Sequence, residues 1–184
     1  MLGKRRNEGK EPVTVYQMER SEAYLLLRLF MEISGKKHIS GVQKAFFAPE
    51  TYKHHEKLVK SLAKKKFAQM KDGNLLISED LKANFNRMLE SVHCMAFQNA
   101  ELMESNSTLV FYYADGKYVG FLQNPKKVIL TAHEDPEAIY HVFAQHFDAN
   151  GVSKHFRMEN WLALWRGPVD SRRQLTGPMA QSLN

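Results

Sequence analysis

The sequence predicts an α+β fold, an antiparallel β-meander sheet with helices packed on both faces. Three observations predict it. The first is the stretch Ser107 to Gln123, STLVFYYADGKYVGFLQ, in which Asp115-Gly116 separates two aromatic and β-branched runs. That pair calls for a two-residue type I′ turn, because both central positions need positive φ. The turn sets the register, with Ala114 opposite Lys117, Tyr113 opposite Tyr118, Tyr112 opposite Val119, Phe111 opposite Gly120, Val110 opposite Phe121 and Leu109 opposite Leu122. The second observation follows from alternation along a strand. One face carries Leu109, Phe111, Tyr113, Tyr118 and Leu122, the other Val110, Tyr112, Val119 and Phe121. Both are apolar, whereas an antiparallel sheet wet on one side reads apolar-in and polar-out. The third is size: 184 residues, 43% of them hydrophobic, can bury one good-sized core.

Each element has its own signal. Val13 to Met18 alternates as a short strand, and Ser21-Glu22 opens an apolar helix, Ala23 to Ile33, closed by Ser34-Gly35. Leu25, Leu26, Leu27, Leu29, Phe30 and Ile33 cover most of its circumference, which assigns it to the core. After the loop GKKHISG, a short helical stretch near Val42 to Phe47 is broken at Ala48-Pro49. Pro49 suits the start of the next helix, Glu50 to about Lys66. Asp72-Gly73 closes a small hairpin between Phe67–Lys71 and Asn74–Ile77. Ser78, with Glu79 and Asp80 in the first turn, then caps a helix in which Leu81, Phe85, Met88, Leu89 and Val92 keep a 3.6-residue spacing.

Strands follow at Met95–Met103, Leu109–Ala114, Lys117–Gln123 and Lys127–Ala132, a meander of four. Asp135-Pro136-Glu137 starts a helix by an acidic first turn and a proline at its first position, with Ile139, Tyr140, Phe143 and Phe147 on the apolar side. The last element runs from Met158 to Trp165. The expected organisation is a disordered basic leader (1–12), one domain (13–166) and a flexible tail (167–184). Within that domain, 13–92 is the mainly helical half with its small hairpin, and 93–166 holds the meander and C-terminal helices.

Composition narrows the function classes. The longest apolar run, Ala23 to Met31, is interrupted by Arg28 and is too short to span a bilayer, and MLGKRRNEGKEP lacks the apolar stretch of a secretory signal. A cytoplasmic location is expected. The single cysteine, Cys94, excludes an internal disulfide framework and a thiolate zinc cluster. The formal charge of +6 is concentrated in Lys4, Arg5, Arg6 and Lys10 and in the run Lys53, Lys57, Lys60, Lys64, Lys65, Lys66. Lys53, Lys57, Lys60 and Lys64 share one helical face, the pattern of an amphipathic helix with a solvated basic side. The same spacing suits contacts to phosphates or another acidic partner.

No recognisable chemical motif occurs. The chain has no phosphate loop, dinucleotide fingerprint, HExxH or GxSxG. Of the eight histidines, His54 and His55 point to different sides of a helix, and His141 and His146 miss the spacing that lets one face hold two ligands. Glu137 and His141 share a face as a surface pair, and His133, Glu134 and Asp135 sit where acidic groups cap a helix. The expectation is a protein that is not an enzyme, with no catalytic residue, cofactor or metal.

Two binding classes remain. Ser40 to Ser91 offers helices, a lysine-rich helix and a small wing, the ingredients of a winged-helix nucleic-acid-binding regulator. Its helix 50–66 contains no Arg, Asn or Gln to read base edges, so its binding should be nonspecific. The other class is a protein-binding adaptor, for which Trp161 and Trp165 share a helical face with Met158 and Leu162 beside them. The succession KLVKSLAKKKFAQMKDGNLLISEDLKANFNRML, a strand, then LVFYYADGKYVGFLQNPKKVILTAHEDPEAIYHVF resembles the EspG family of type VII (ESX) secretion chaperones and their Gram-positive counterparts. The resemblance spans roughly three quarters of the chain and rests on turns and apolar positions rather than signature residues. It implies an antiparallel sheet flanked by helices and cytosolic binding of a helical-hairpin secretion substrate. No motif anchors the family's binding residues here, and the chain is short for the family.

Overall fold

The computed structural model describes residues 13–42, 55–91, 94–97, 107–148 and 180–182. In chain order, Val15–Glu19 (β1) runs directly into Arg20–Ser34 (α1), and His55–Lys64 (α2) leads into the hairpin Ala68–Lys71 (β2) and Asn74–Ile77 (β3). Glu79–Glu90 (α3) precedes Cys94–Phe97 (β4), Thr108–Ala114 (β5), Lys117–Gln123 (β6) and Lys127–His133 (β7). Pro136–Asp148 (α4) and Ala180–Ser182 (β8) follow. The fold is α+β, and every strand pairing among the described residues is antiparallel.

The β5–β6 hairpin has the register its turn demands, from Ala114 opposite Lys117 to Leu109 opposite Leu122. Asp115 and Gly116 sit at φ 52° and 69°, the left-handed pair of a type I′ turn. Asp72 and Gly73, at 52° and 79°, repeat the geometry in the β2–β3 hairpin.

The meander β4–β7 is the middle of a larger sheet. Its strand order is β1-β7-β6-β5-β4-β8. The strand near the start of the chain thus pairs with the last meander strand, Val15 opposite Thr131 and Glu19 opposite Lys127. The Arg20 N–H continues this ladder into α1 by donating to the Lys126 carbonyl at 2.9 Å. At the other edge Ala180–Ser182, expected as part of a loose tail, pairs with β4, Phe97 opposite Ala180. The edge of β4 offers these residues backbone partners that a polar composition does not advertise. The remainder of the tail lies outside the described residues. So do the leader, residues 43–54 of the two expected helical stretches, residues 98–103 of the expected strand and the element 158–165.

The two sheet faces feed separate clusters. Val110, Tyr112, Val119, Phe121, Val128 and Leu130 pack with Tyr16 and Met18 of β1, Leu26 and Phe30 of α1, Leu62 of α2 and Phe85 of α3. Phe30 and Phe85 bring their rings to 5.4 Å, and Tyr16 reaches Phe67 beside the small hairpin at 5.5 Å. Leu109, Phe111, Leu122 and Ile129 pack instead with Ile139 and Phe143 of α4. Ile33, which the helical wheel assigned to the core, is 60% exposed. It lies seven residues after the buried Leu26, so the final turn of α1 overruns the layer on which Leu26 packs.

Candidate functional site

Helix α2 presents the one concentrated charge in the described chain. Its apolar side, Leu58, Val59 and Leu62, packs against the core, which turns Lys57, Lys60 and Lys64 outward. All three are exposed, as the sequence spacing predicts. Among the described residues none of them has an ion pair. Lys53, the fourth residue expected on this face, lies outside the described residues, as do Trp161, Trp165, Met158 and Leu162.

Lys65 behaves differently from its neighbours. Its ammonium donates to Glu22 Oε2 at 2.6 Å, and the Glu22 side chain is 1% exposed. The Glu22 carboxylate also accepts from the Ser61 hydroxyl and, at 2.8 Å, from the Glu19 N–H at the start of α1. Three donors therefore converge on one buried carboxylate, tying the first turn of α1 to the last turn of α2. Burial alone pushes the Glu22 pKa up, but the hydrogen bonds from Lys65, Ser61 and Glu19, with the Lys65 charge, outweigh it and hold the carboxyl below its usual range. The sequence places Glu22 in a capping position and Lys65 in a solvated run, and nothing in the sequence distinguishes Lys65 from Lys64. What separates them is one residue of helical rotation, about 100°.

The other perturbed groups also hold structural positions. The Tyr112 hydroxyl donates to the Ser40 carbonyl at 2.6 Å and Gln123 Nε2 to the Gly41 carbonyl at 3.1 Å, pinning the loop between Ile39 and Val42 over the sheet. Burial raises the Tyr112 pKa well above its ordinary value. The Cys94 thiol is buried, and burial pushes its pKa up, which disfavours the thiolate a nucleophile needs.

Among the described residues, His133 sits at a helix boundary and His141 on the surface. His133 Nδ1 accepts the Asp135 N–H at 2.9 Å, and Asp135 Oδ1 accepts the Glu137 N–H at 2.9 Å, the acidic cap that the Asp-Pro-Glu signal implies. Glu137 and His141 lie 3.9 Å apart with both side chains well exposed. Among the described residues no group of three or more His, Cys, Asp or Glu is arranged to hold a metal ion, and no helix is long and apolar enough to cross a membrane.

Sequence reasoning missed one further feature of the α2 surface. Helix α2 ends in a Schellman-type turn, in which the Phe67 N–H donates to the Leu62 carbonyl and the Lys66 N–H to the Ala63 carbonyl, each at 3.0 Å. The residue in the left-handed conformation there is Lys66, at φ 60°. Compared with known proteins, the chain matches no protein-family model and no curated protein sequence.

Proposed function

We propose that the protein is a non-enzymatic cytoplasmic adaptor that binds a helical-hairpin secretion substrate of a type VII secretion system. One observation supports this above others, the order of elements. A leading helix, a short hairpin and an acidic-capped helix (α2, β2–β3, α3) precede an antiparallel meander and a closing helix (β4–β7, α4), the succession that the EspG resemblance implies. The structural roles of Glu22, Tyr112, Cys94 and His133 suit a binding protein, because each perturbed or polar group is already engaged in holding the fold. The partner-binding side chains in this reading are Trp161 and Trp165 with Met158 and Leu162, large apolar groups of the kind that anchor interfaces.

The test is co-purification of the full chain with the products of neighbouring genes. A small helical protein should be recovered in stoichiometric complex. Changing both tryptophans to alanine should abolish that capture while leaving the fold intact by circular dichroism. If the pair were core instead, each change would cost about 3 to 5 kcal/mol and the domain would unfold. Recovery of no small helical protein from the native host would sink the adaptor reading.

A further inference from the structure

Most helices that end in a Schellman turn place glycine at the left-handed position, because a side chain there crowds the following carbonyl. Helix α1 follows this rule. Its closing residue is Gly35 at φ 67°, with the Gly35 N–H donating to the Glu32 carbonyl and the Lys36 N–H to the Met31 carbonyl. Helix α2 makes the same two bonds around Lys66. Among the described residues the other non-glycine positions at positive φ are Asp72 and Asp115, both in type I′ turns, where aspartate is at home. Lys66 alone among the described residues is a long side chain held in this conformation. Its side chain is exposed and has no ion pair among the described residues, so neither packing nor pairing explains it. Backbone strain kept at such a position points to a use for the side chain.

The segment that leads into Lys66 is rich in the same charge. Lys57, Lys60 and Lys64 span about 10 Å along the outward face of α2, and Lys66 carries the charge one step past the helix end. The face is stiff, since Leu62 is buried and the Lys65–Glu22 pair clamps the last turn. We infer that the outward face of α2 with Lys66 is a docking surface for the phosphate backbone of double-stranded nucleic acid, bound without regard to sequence. The inference does not depend on the adaptor reading.

The composition of the face selects this partner. Lysine is depleted at protein–protein interfaces and the face offers no aromatic anchor, which disfavours an acidic protein. A membrane-surface helix needs an apolar side free to insert, and the apolar side of α2 is packed on the core. Helix α2 has no Arg, Asn or Gln to read base edges, so its lysines can position a duplex and not select one. Its single acidic residue, Glu56, is in the first turn, away from Lys64 and Lys66.

The experiment titrates the full chain against a fluorescent duplex DNA of arbitrary sequence by anisotropy, at salt from about 50 to about 200 mM. Three proteins are compared with wild type: the triple variant Lys57→Gln/Lys60→Gln/Lys64→Gln, the charge-matched control Lys36→Gln/Lys37→Gln/Lys126→Gln, and Lys66→Gly. Each phosphate contact contributes about 0.9 to the log–log salt slope, so over this range wild type should lose about 40-fold more affinity than the triple variant. The control should keep the wild-type slope. Lys66→Gly should melt about 2 to 4 °C higher, from relief of the left-handed strain, yet bind the duplex more weakly, with the slope lower by about 0.9. The inference is overturned if the control loses as much slope as the triple variant, or if Lys66→Gly gains stability with unchanged affinity. Binding to anionic phospholipid vesicles with none to the duplex at the lowest salt would overturn it equally.

Discussion

Replacing Lys65 with alanine is expected to destabilise the domain by about 3 to 5 kcal/mol, far more than the loss of a surface lysine, because it leaves a buried carboxylate without its counter-ion. Glu22 is the partner, 1% exposed and 2.6 Å from the Lys65 ammonium. The effect should be asymmetric. Glu22→Gln removes the charge, keeps an oxygen for the Ser61 hydroxyl, and leaves Lys65, whose side chain is 34% exposed, able to reach water. It should cost only about 1 to 3 kcal/mol. The double variant should be more stable than Lys65→Ala alone, a non-additivity that urea denaturation would measure. Lys64→Ala, one residue away and exposed, should stay within about 0.5 kcal/mol of wild type.

Acid should separate these proteins further. In the wild type the folded Glu22 pKa lies below its unfolded value, so the unfolded chain takes up the proton first as pH falls. The stability this group contributes is present above the unfolded carboxylate pKa of about 4.3 and is lost as pH drops through the folded pKa. Without Lys65 the burial that raises the pKa is less opposed. The deficit of Lys65→Ala should therefore narrow on acidification, and a deficit that stayed constant from neutral pH down to about 3 would argue against a buried carboxylate as its source.

The second large effect is at the contact between α4 and the sheet. Phe143 is fully buried, its ring 6.0 Å from that of Phe111 in an edge-on arrangement. A Cβ built on Gly120, directly opposite Phe111 in the ladder, would clash with the Phe143 ring edge at Cε2 and lie 2.8 Å from its Cζ and 3.1 Å from Ile139 Cγ2. Phe143 thus occupies the space that the missing Gly120 side chain leaves. Phe143→Ala should cost about 3 to 5 kcal/mol, and Gly120→Ala about 1 to 3 kcal/mol through overpacking. Combined, the two should cost less than their sum, because the new methyl enters the cavity the ring vacated. Strict additivity in denaturant unfolding would show that Phe143 and Gly120 do not share that space.

The parts of the fold legible beforehand are those coded locally. An Asp-Gly pair between two β runs dictates a left-handed turn, and the turn dictates six facing pairs, all found as spaced. The 3.6-residue rhythm of Leu81, Phe85 and Met88 dictates a buried stripe, and all three are buried. The two apolar faces of β5 and β6 likewise divide between two clusters. Exposure of Lys57, Lys60 and Lys64 on α2 follows from the same kind of reasoning, whereas Ile33 fails it because a helical wheel does not say where the neighbouring layer stops.

What the sequence determined by itself is therefore the local code: turn types, helix phases and which side of each element is apolar. Tertiary structure alone decided the rest. Strand β1 pairs with β7 across more than half the chain, through backbone groups that every residue possesses, so no residue pattern announces the partner. Lys64 and Lys65 are chemically identical neighbours, and only the packing of α2 on α1 turns one to water and the other onto Glu22. The left-handed lysine at the end of α2 is equally silent in sequence, because positive φ there is imposed by the direction in which the chain must leave the helix to begin β2.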